Sequence, residues 1–201
     1  MLRVGLTGGL ATGKSFVGRT LVEFGCHLLQ ADEVGHQVLL PGGEAYDAVV
    51  REFGPELLDE DGTINRRRLA SLVFDQPGRL AVLNELVHPP VVAKEEDWFA
   101  ALEAIDPHSI GVVEAAILIE TGSYKRFHKL VLTVCSEPEQ IARAIKRDLL
   151  SREEVEARIR RQMPLSEKCK FADFVVDTSG TKEDTAAKTR ELYEALRRLA
   201  R

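Results

Sequence analysis

The run Val4-Gly5-Leu6-Thr7-Gly8-Gly9-Leu10-Ala11-Thr12-Gly13-Lys14-Ser15 joins an apolar strand to a loop that fits G-x-x-x-x-G-K-S at Gly8, Gly13, Lys14 and Ser15. Glycines in such a loop let backbone N–H groups turn inward and approach phosphate oxygens, because no Cβ stands in the way. The pattern Phe16-Val17-Gly18-Arg19-Thr20-Leu21-Val22 predicts a helix starting near Gly13, whose positive end points at the same anion. Lys14 reaches the β- and γ-phosphates as a point charge, and the Ser15 hydroxyl ligates a magnesium ion shared with them. The dinucleotide pattern G-x-G-x-x-G is absent, and the strand ahead with the helix behind sets the loop apart from a glycine-rich turn that binds nothing. A nucleoside triphosphate is therefore expected on Gly8, Gly9, Ala11, Thr12, Gly13, Lys14, Ser15 and Phe16, with Ser15 as the metal ligand.

At 201 residues and 44% hydrophobic content, the chain suits one compact domain with inserted lobes. No run of ~18 apolar residues occurs, and Met1-Leu2-Arg3 leads into a strand without a signal-peptide pattern. A soluble, cytoplasmic protein that engages no membrane is the expectation. Cys26, Cys135 and Cys169 lack C-x-x-C spacing and read as buried structural thiols in a reducing compartment. A net charge of −5 argues against a nucleic-acid partner, though not against local basic clusters that hold phosphates.

Short apolar runs at residues 2–7, 27–30, 110–118, 130–134 and 174–176 read as strands of a sheet covered on both faces. Helical spacing marks 15–24, 137–149, 152–161 and 183–199, with Ser136 and Ser151 as N-caps. This alternation predicts an α/β fold with a five-stranded parallel sheet. The interval from about 34 to 108 is too long for one crossover, and its turn signals, Pro41-Gly42-Gly43, Asp61-Gly62 and Gln76-Pro77-Gly78, separate helix-length pieces. It reads as an inserted helical lobe for a second substrate.

The stretch 143–170 interleaves Arg143, Lys146, Arg147, Arg152, Arg158, Arg160 and Arg161 with acidic residues. Two readings stand: a solvated helix pair laced with ion pairs, or a lid whose arginines close over a triphosphate. Arg143 and Arg147 lie four apart and share one helical face. After the second predicted strand comes Asp32, which reads either as a helix cap or as the carboxylate that orients an attacking hydroxyl.

The chain resembles the dephospho-coenzyme A kinase family nearly end to end. Matching motifs are Leu6-Thr7-Gly8-Gly9 with Thr12-Gly13-Lys14-Ser15, Ala31-Asp32 with His36, Pro41-Gly42, Phe53-Gly54, and Asp61-Gly62 with Asn65-Arg66 and Leu69. Further on come Val73-Phe74, Leu83-Asn84 with His88-Pro89, Leu118-Ile119-Glu120, Arg143 with Arg147-Asp148, Arg158-Ile159 with Gln162, and Ala172-Asp173. The resemblance implies a P-loop kinase fold with a nucleotide-binding core over 1–33, 109–138 and 171–201, a helical acceptor (CoA)-binding lobe over 34–108, and a helical lid over 139–170. It implies ATP and Mg2+ as cofactors and phosphorylation of the ribose 3′-hydroxyl of dephospho-CoA, giving CoA and ADP. Asp32, Lys14 and Arg143 take the catalytic roles, and Arg147 joins the nucleotide-binding set. Asp32, Arg66, His88 and Glu114 are expected to touch the acceptor, with Glu114 alternatively holding a metal-bound water, and the chain to be a monomer or weak homo-oligomer. Arg66 also reads as an exposed surface arginine, His88 as a helix-start or packing residue, and Glu120 as the cap of a turn.

Several positions depart from the family pattern. Gln30 replaces an acidic residue before Ala-Asp, Phe16 a threonine, Ala116 the proline of Pro-Leu-Leu-Phe-Glu, and Thr178 an asparagine near the adenine pocket. Two alternatives remain: a P-loop kinase for another small hydroxyl acceptor such as a nucleoside or nucleotide, and a GTP-binding switch protein. The switch reading rests on Asp75-Gln76-Pro77-Gly78 as DxxG and Thr181-Lys182-Glu183-Asp184 as a loose guanine-reading pattern, but the latter reads more simply as a helix cap.

Overall fold

A computed structural model of the chain describes residues 1–74 and 76–201, so that Asp75, the first residue of the DxxG match, lies outside the described residues. The apolar runs form five strands, β1 (Leu2–Gly8), β2 (His27–Gln30), β3 (Ile110–Glu114), β4 (Lys129–Val134) and β5 (Phe174–Asp177). All pair in parallel, in the order β2-β3-β1-β4-β5. Helices follow as α1 (Lys14–Glu23), α2 (Ala31–Gln37), α3 (Tyr46–Phe53), α4 (Arg66–Phe74), α5 (Pro77–Ile105), α6 (Glu137–Asp148), α7 (Arg152–Arg160), α8 (Leu165–Lys168) and α9 (Lys182–Leu199).

Two compact units make up the chain. Residues Met1–Gln30 and Phe99–Arg201 form the larger one, and Ala31–Trp98 the smaller. In the larger unit β1 is central and its side chains alternate between faces. Leu2, Val4 and Leu6 join Val112, Val131 and Val176 under Val17 and Leu21 of α1 and Leu192 and Leu196 of α9. On the other face, Phe99 and Phe127 meet edge to face with ring centroids 6.2 Å apart, and the Arg3 guanidinium lies 4.9 Å over Phe99. These contacts draw the end of α5 into the larger unit. The smaller unit therefore closes at residue 98, where the sequence reading extended the lobe to 108.

The strand expected over 110–118 ends at Glu114. Ala115 still donates its N–H to Leu6 O, but Thr121 N–H then bonds Ile117 O and Gly122 N–H bonds Ile119 O, folding the chain into turns. Leu118 and Ile119 are buried within those turns, so their apolar character mimics a strand. Three helices begin with reciprocal capping boxes, Ser136 with Glu139, Ser151 with Glu154 and Thr181 with Asp184. The Thr-Lys-Glu-Asp pattern of the switch reading is thus the start of α9.

The smaller unit has its own core of Val38, Val49, Phe53, Leu57 and Leu69 among others. A Leu58–Ile64 bridge closes the Asp61-Gly62 turn, and Asn65 Oδ1 accepts the N–H groups of Arg67 and Arg68 to cap α4. α5 runs through Pro89 and Pro90, which lack N–H groups and forfeit intrahelical bonds. The helix-start reading of His88 is therefore corrected, because that residue sits inside a helix that began at Pro77.

Cys26 and Cys135 are buried, and burial pushes the Cys26 thiol up to about 12. Cys169 is exposed, contrary to expectation, on the short turn after α8. Among the described residues, no helix is long and apolar enough to cross a membrane. Thr181→Ala should lower stability by about 1 kcal/mol through loss of the α9 cap, read from urea denaturation.

Candidate active site

The turn after β1 is closed by contact rather than by freedom at Gly8. A Cβ there would lie 2.3 Å from Thr133 Oγ1, 2.5 Å from Thr12 Oγ1 and 2.8 Å from the Thr133 carbonyl. Gly13, at φ 82°, occupies the left-handed region and leads directly into α1. Ala11 is also left-handed, at φ 55°, and packs with Leu10 against Ile141, Ala144 and Val155 of α6 and α7. Thr12 fastens the middle of the turn, its hydroxyl donating to Gly9 O at 3.0 Å and meeting Thr133 Oγ1 at 2.8 Å.

This turn borders a cavity of about 230 Å³ whose lining includes Gly13, Lys14, Ser15, Phe16, Arg143 and Arg147. A neighbouring cavity of about 320 Å³ shares Gly13, Phe16, Arg19 and Arg143 with the first and adds Thr178 and the start of α9. Lys14 Nζ donates to Gly9 O at 3.0 Å and Gly8 O at 3.4 Å, which folds the ammonium over the loop.

Ser15 and Glu114 are brought together, the hydroxyl donating to Glu114 Oε1 at 2.7 Å. Glu114 Oε2 is buried without a hydrogen-bond partner. An orphaned carboxylate oxygen beside a hydroxyl fits a hard cation with its water shell, since magnesium retains waters and takes few protein ligands. The strand register pairs Gln30 with Glu114, so this end of the sheet carries one amide and one carboxylate.

Arg143 holds a fixed post. Its guanidinium donates to Thr178 O at 2.7 Å, to Thr178 Oγ1 at 3.1 Å and to Glu139 Oε1 at 3.3 Å. Thr178, in turn, donates its hydroxyl to Thr12 O at 2.9 Å. Arg147 is more exposed and forms a two-bond pair with Asp148, at 2.7 and 2.8 Å. That hydrogen bonding holds the Asp148 carboxyl below the usual range.

Asp32, Arg66 and His88 belong to the smaller unit. Asp32 is exposed in the first turn of α2, and His36, four residues on, shares its helical face. Arg66 begins α4, exposed, with Nη1 3.5 Å from His36 Nδ1. His88 is half-buried, and burial pushes its imidazole down from the ordinary value.

Sequence reasoning passed over Arg19 and Lys168. Arg19 stands one helical turn beyond Ser15, and that spacing was available as a signal. Lys168 pairs with Glu120 at 2.8 Å, a partner 48 positions away that no local pattern indicates. The turn-cap reading of Glu120 is thereby corrected. Gly8→Ala should cost about 1–3 kcal/mol by overpacking against Thr12 and Thr133, seen in denaturation of the nucleotide-free protein.

Comparison with known proteins gives a consistent result. The dephospho-CoA kinase family model matches residues 2–184. A dephospho-CoA kinase of Aquifex aeolicus is 37% identical over 203 aligned positions, covering 98% of this chain and 99% of its own. The crystal structure of TT1252 from Thermus thermophilus superposes with a TM-score of 0.83 at 34% identity, covering 96% of this chain and 97% of that one. A dephospho-CoA kinase from Campylobacter jejuni shares the fold, with a TM-score of 0.63 at 22% identity over 96% of both chains. A five-stranded parallel sheet, a G-x-x-x-x-G-K-S turn that borders an arginine-lined cavity, and a match over nearly the whole chain establish that it belongs to the dephospho-CoA kinase family.

Proposed function

We propose that this kinase transfers the γ-phosphoryl group of ATP to the ribose 3′-hydroxyl of dephospho-CoA, giving CoA and ADP, the last step of coenzyme A synthesis. The observation that carries the reading is the cavity of about 230 Å³ in which Lys14, Ser15, Arg143 and Arg147 converge on the turn after β1. A chain of net charge −5 that gathers Lys14, Arg19, Arg143 and Arg147 around one cavity is built to receive an anion.

In this reading Lys14 leaves the carbonyls of Gly8 and Gly9 for the β- and γ-phosphates, exchanging weak neutral acceptors for charged ones. The ammonium then follows the γ-phosphoryl group as charge redistributes. Arg143, fixed by Thr178, lies along the nucleotide, while Arg147 exchanges Asp148 for phosphate oxygens. Ser15 and Glu114 would hold a magnesium ion, which when bound would supply positive charge to the β- and γ-phosphates. Residues 139–170 cover the triphosphate and exclude water, which suppresses hydrolysis.

Asp32 is the carboxylate that orients the 3′-hydroxyl and accepts its proton, leaving the alkoxide oxygen to bond phosphorus as the bond to ADP breaks. Arg66 and His88 contact the acceptor, with Arg66 suited to a phosphate of the CoA moiety. Because ATP and dephospho-CoA are solutes of the cytoplasm, the enzyme works there, as a monomer or weak homo-oligomer.

ADP release measured with dephospho-CoA, nucleosides, shikimate and no acceptor tests the acceptor assignment. Only dephospho-CoA should support turnover, and equal rates with a nucleoside would overturn it. Asp32→Asn should lower kcat by about 10²–10⁴-fold while ATP still binds. Lys14→Ala should weaken ATP binding and reduce kcat/KM by about 10²-fold or more. Wild-type affinity and turnover in that variant would contradict the phosphate role of the loop.

A further inference from the structure

Lys168 stands outside the residues assigned to phosphoryl transfer, yet its side chain is 0% exposed. A lysine is sealed from water only where its ammonium is paired and hydrogen-bonded. Nζ donates to Glu120 Oε1 at 2.8 Å and to the Ala116 carbonyl at 3.2 Å. Neither acceptor serves Lys168 alone. The Ala116 carbonyl also takes the Thr7 hydroxyl at 3.2 Å, one residue ahead of the phosphate loop. Glu120 Oε1 also takes the Met163 N–H at 3.2 Å, and the preceding residue, Gln162, accepts the Leu10 N–H at 2.9 Å.

One buried cation therefore reaches the phosphate loop by two routes. Through Ala116 and Thr7 it fixes the end of β1, where the loop begins. Through Glu120 and Met163 it fixes the segment from which Gln162 grips Leu10, inside the loop. A loop that binds anions with backbone N–H groups is effective only if its shape is set before the anion arrives, since reorganisation on binding subtracts from affinity.

We infer that Lys168 is a positioning residue for nucleotide binding: by holding Glu120 and the Ala116 carbonyl it keeps Gln162 on Leu10 and the phosphate loop in its receiving shape. The inference rests on the loop's role as the triphosphate site and not on the identity of the acceptor. Methionine would fill the volume of Lys168 without holding either oxygen, so Lys168→Met separates ion pairing from packing. Gln162→Met leaves the ion pair in place and removes only the grip on Leu10.

The test compares the two single variants and the double variant with the wild-type protein. ATP affinity is measured by calorimetry without acceptor, alongside thermal unfolding and KM for dephospho-CoA. Each single variant should bind ATP about 10-fold or more weakly, with KM for dephospho-CoA within about twofold of wild type. The double variant should bind no more than about threefold worse than the weaker single, as members of one network do. A lysine with a merely structural role would lower the melting temperature and leave ATP affinity unchanged in the folded protein, which would overturn the inference. Fully additive losses in the double variant would overturn it too. Should Lys168→Met fail to fold, Gln162→Met decides alone, and wild-type ATP affinity in that variant is the overturning result. A wild-type chain that binds ATP without phosphorylating dephospho-CoA would remove the acceptor assignment and leave this inference standing.

Discussion

Close packing of Gly8 between Thr12 and Thr133 sets the path of the chain as it leaves the central strand, and the rest of the nucleotide site takes its bearings from that turn. Thr12 and Thr133 share a hydrogen bond within the sheet end, and Thr178 donates to the Thr12 carbonyl from the far side. These hydroxyls are buried and partnered, as polar groups removed from water must be. An apolar core tolerates exchange of one aliphatic side chain for another of similar volume. A set of buried hydroxyl bonds at these distances does not, because each hydroxyl must find its acceptor in one direction while its own lone pairs stay satisfied.

Electrostatic order in the site is established before any nucleotide arrives. Lys14 rests on carbonyls of its own loop, Arg143 on Thr178 and Glu139, and Arg147 on Asp148. Each cation is thus held near the cavity by hydrogen-bonded partners: carbonyls for Lys14, a carboxylate for Arg147 and both kinds for Arg143. Preorganised charge of this kind costs little reorganisation at the moment of transfer. In the Ser15–Glu114 contact one carboxylate oxygen is occupied and the other is buried without a hydrogen-bond partner.

Much of this was legible in the residue order because the responsible interactions are local. The phosphate loop, the parallel strands and the caps at Ser136, Ser151 and Thr181 each depend on residues a few positions apart. Where local patterns misled, a distant partner had intervened. The apolar run after Glu114 folds into buried turns because Leu118 and Ile119 find core contacts there. The proline pair at 89 and 90 reads locally as a helix start, yet a 29-residue helix passes through it. Arg143 reads from spacing alone either as a solvated ion-paired residue or as a lid arginine, and its bond to Thr178, 35 positions later, is a contact that no local pattern indicates.

The sequence by itself determined the anion-binding turn, the alternation that builds a parallel sheet and the resemblance to a kinase family, since these follow from spacing and side-chain type. Tertiary structure alone decided that Ser15 meets Glu114 across 99 positions, that Gln162 grips Leu10 across 152, and that Lys168 is sealed against Glu120. The physical reason lies in how each is specified. A loop's dihedral preferences are written in consecutive residues, whereas the partner of a buried charge is chosen only when distant strand ends pack together and exclude water.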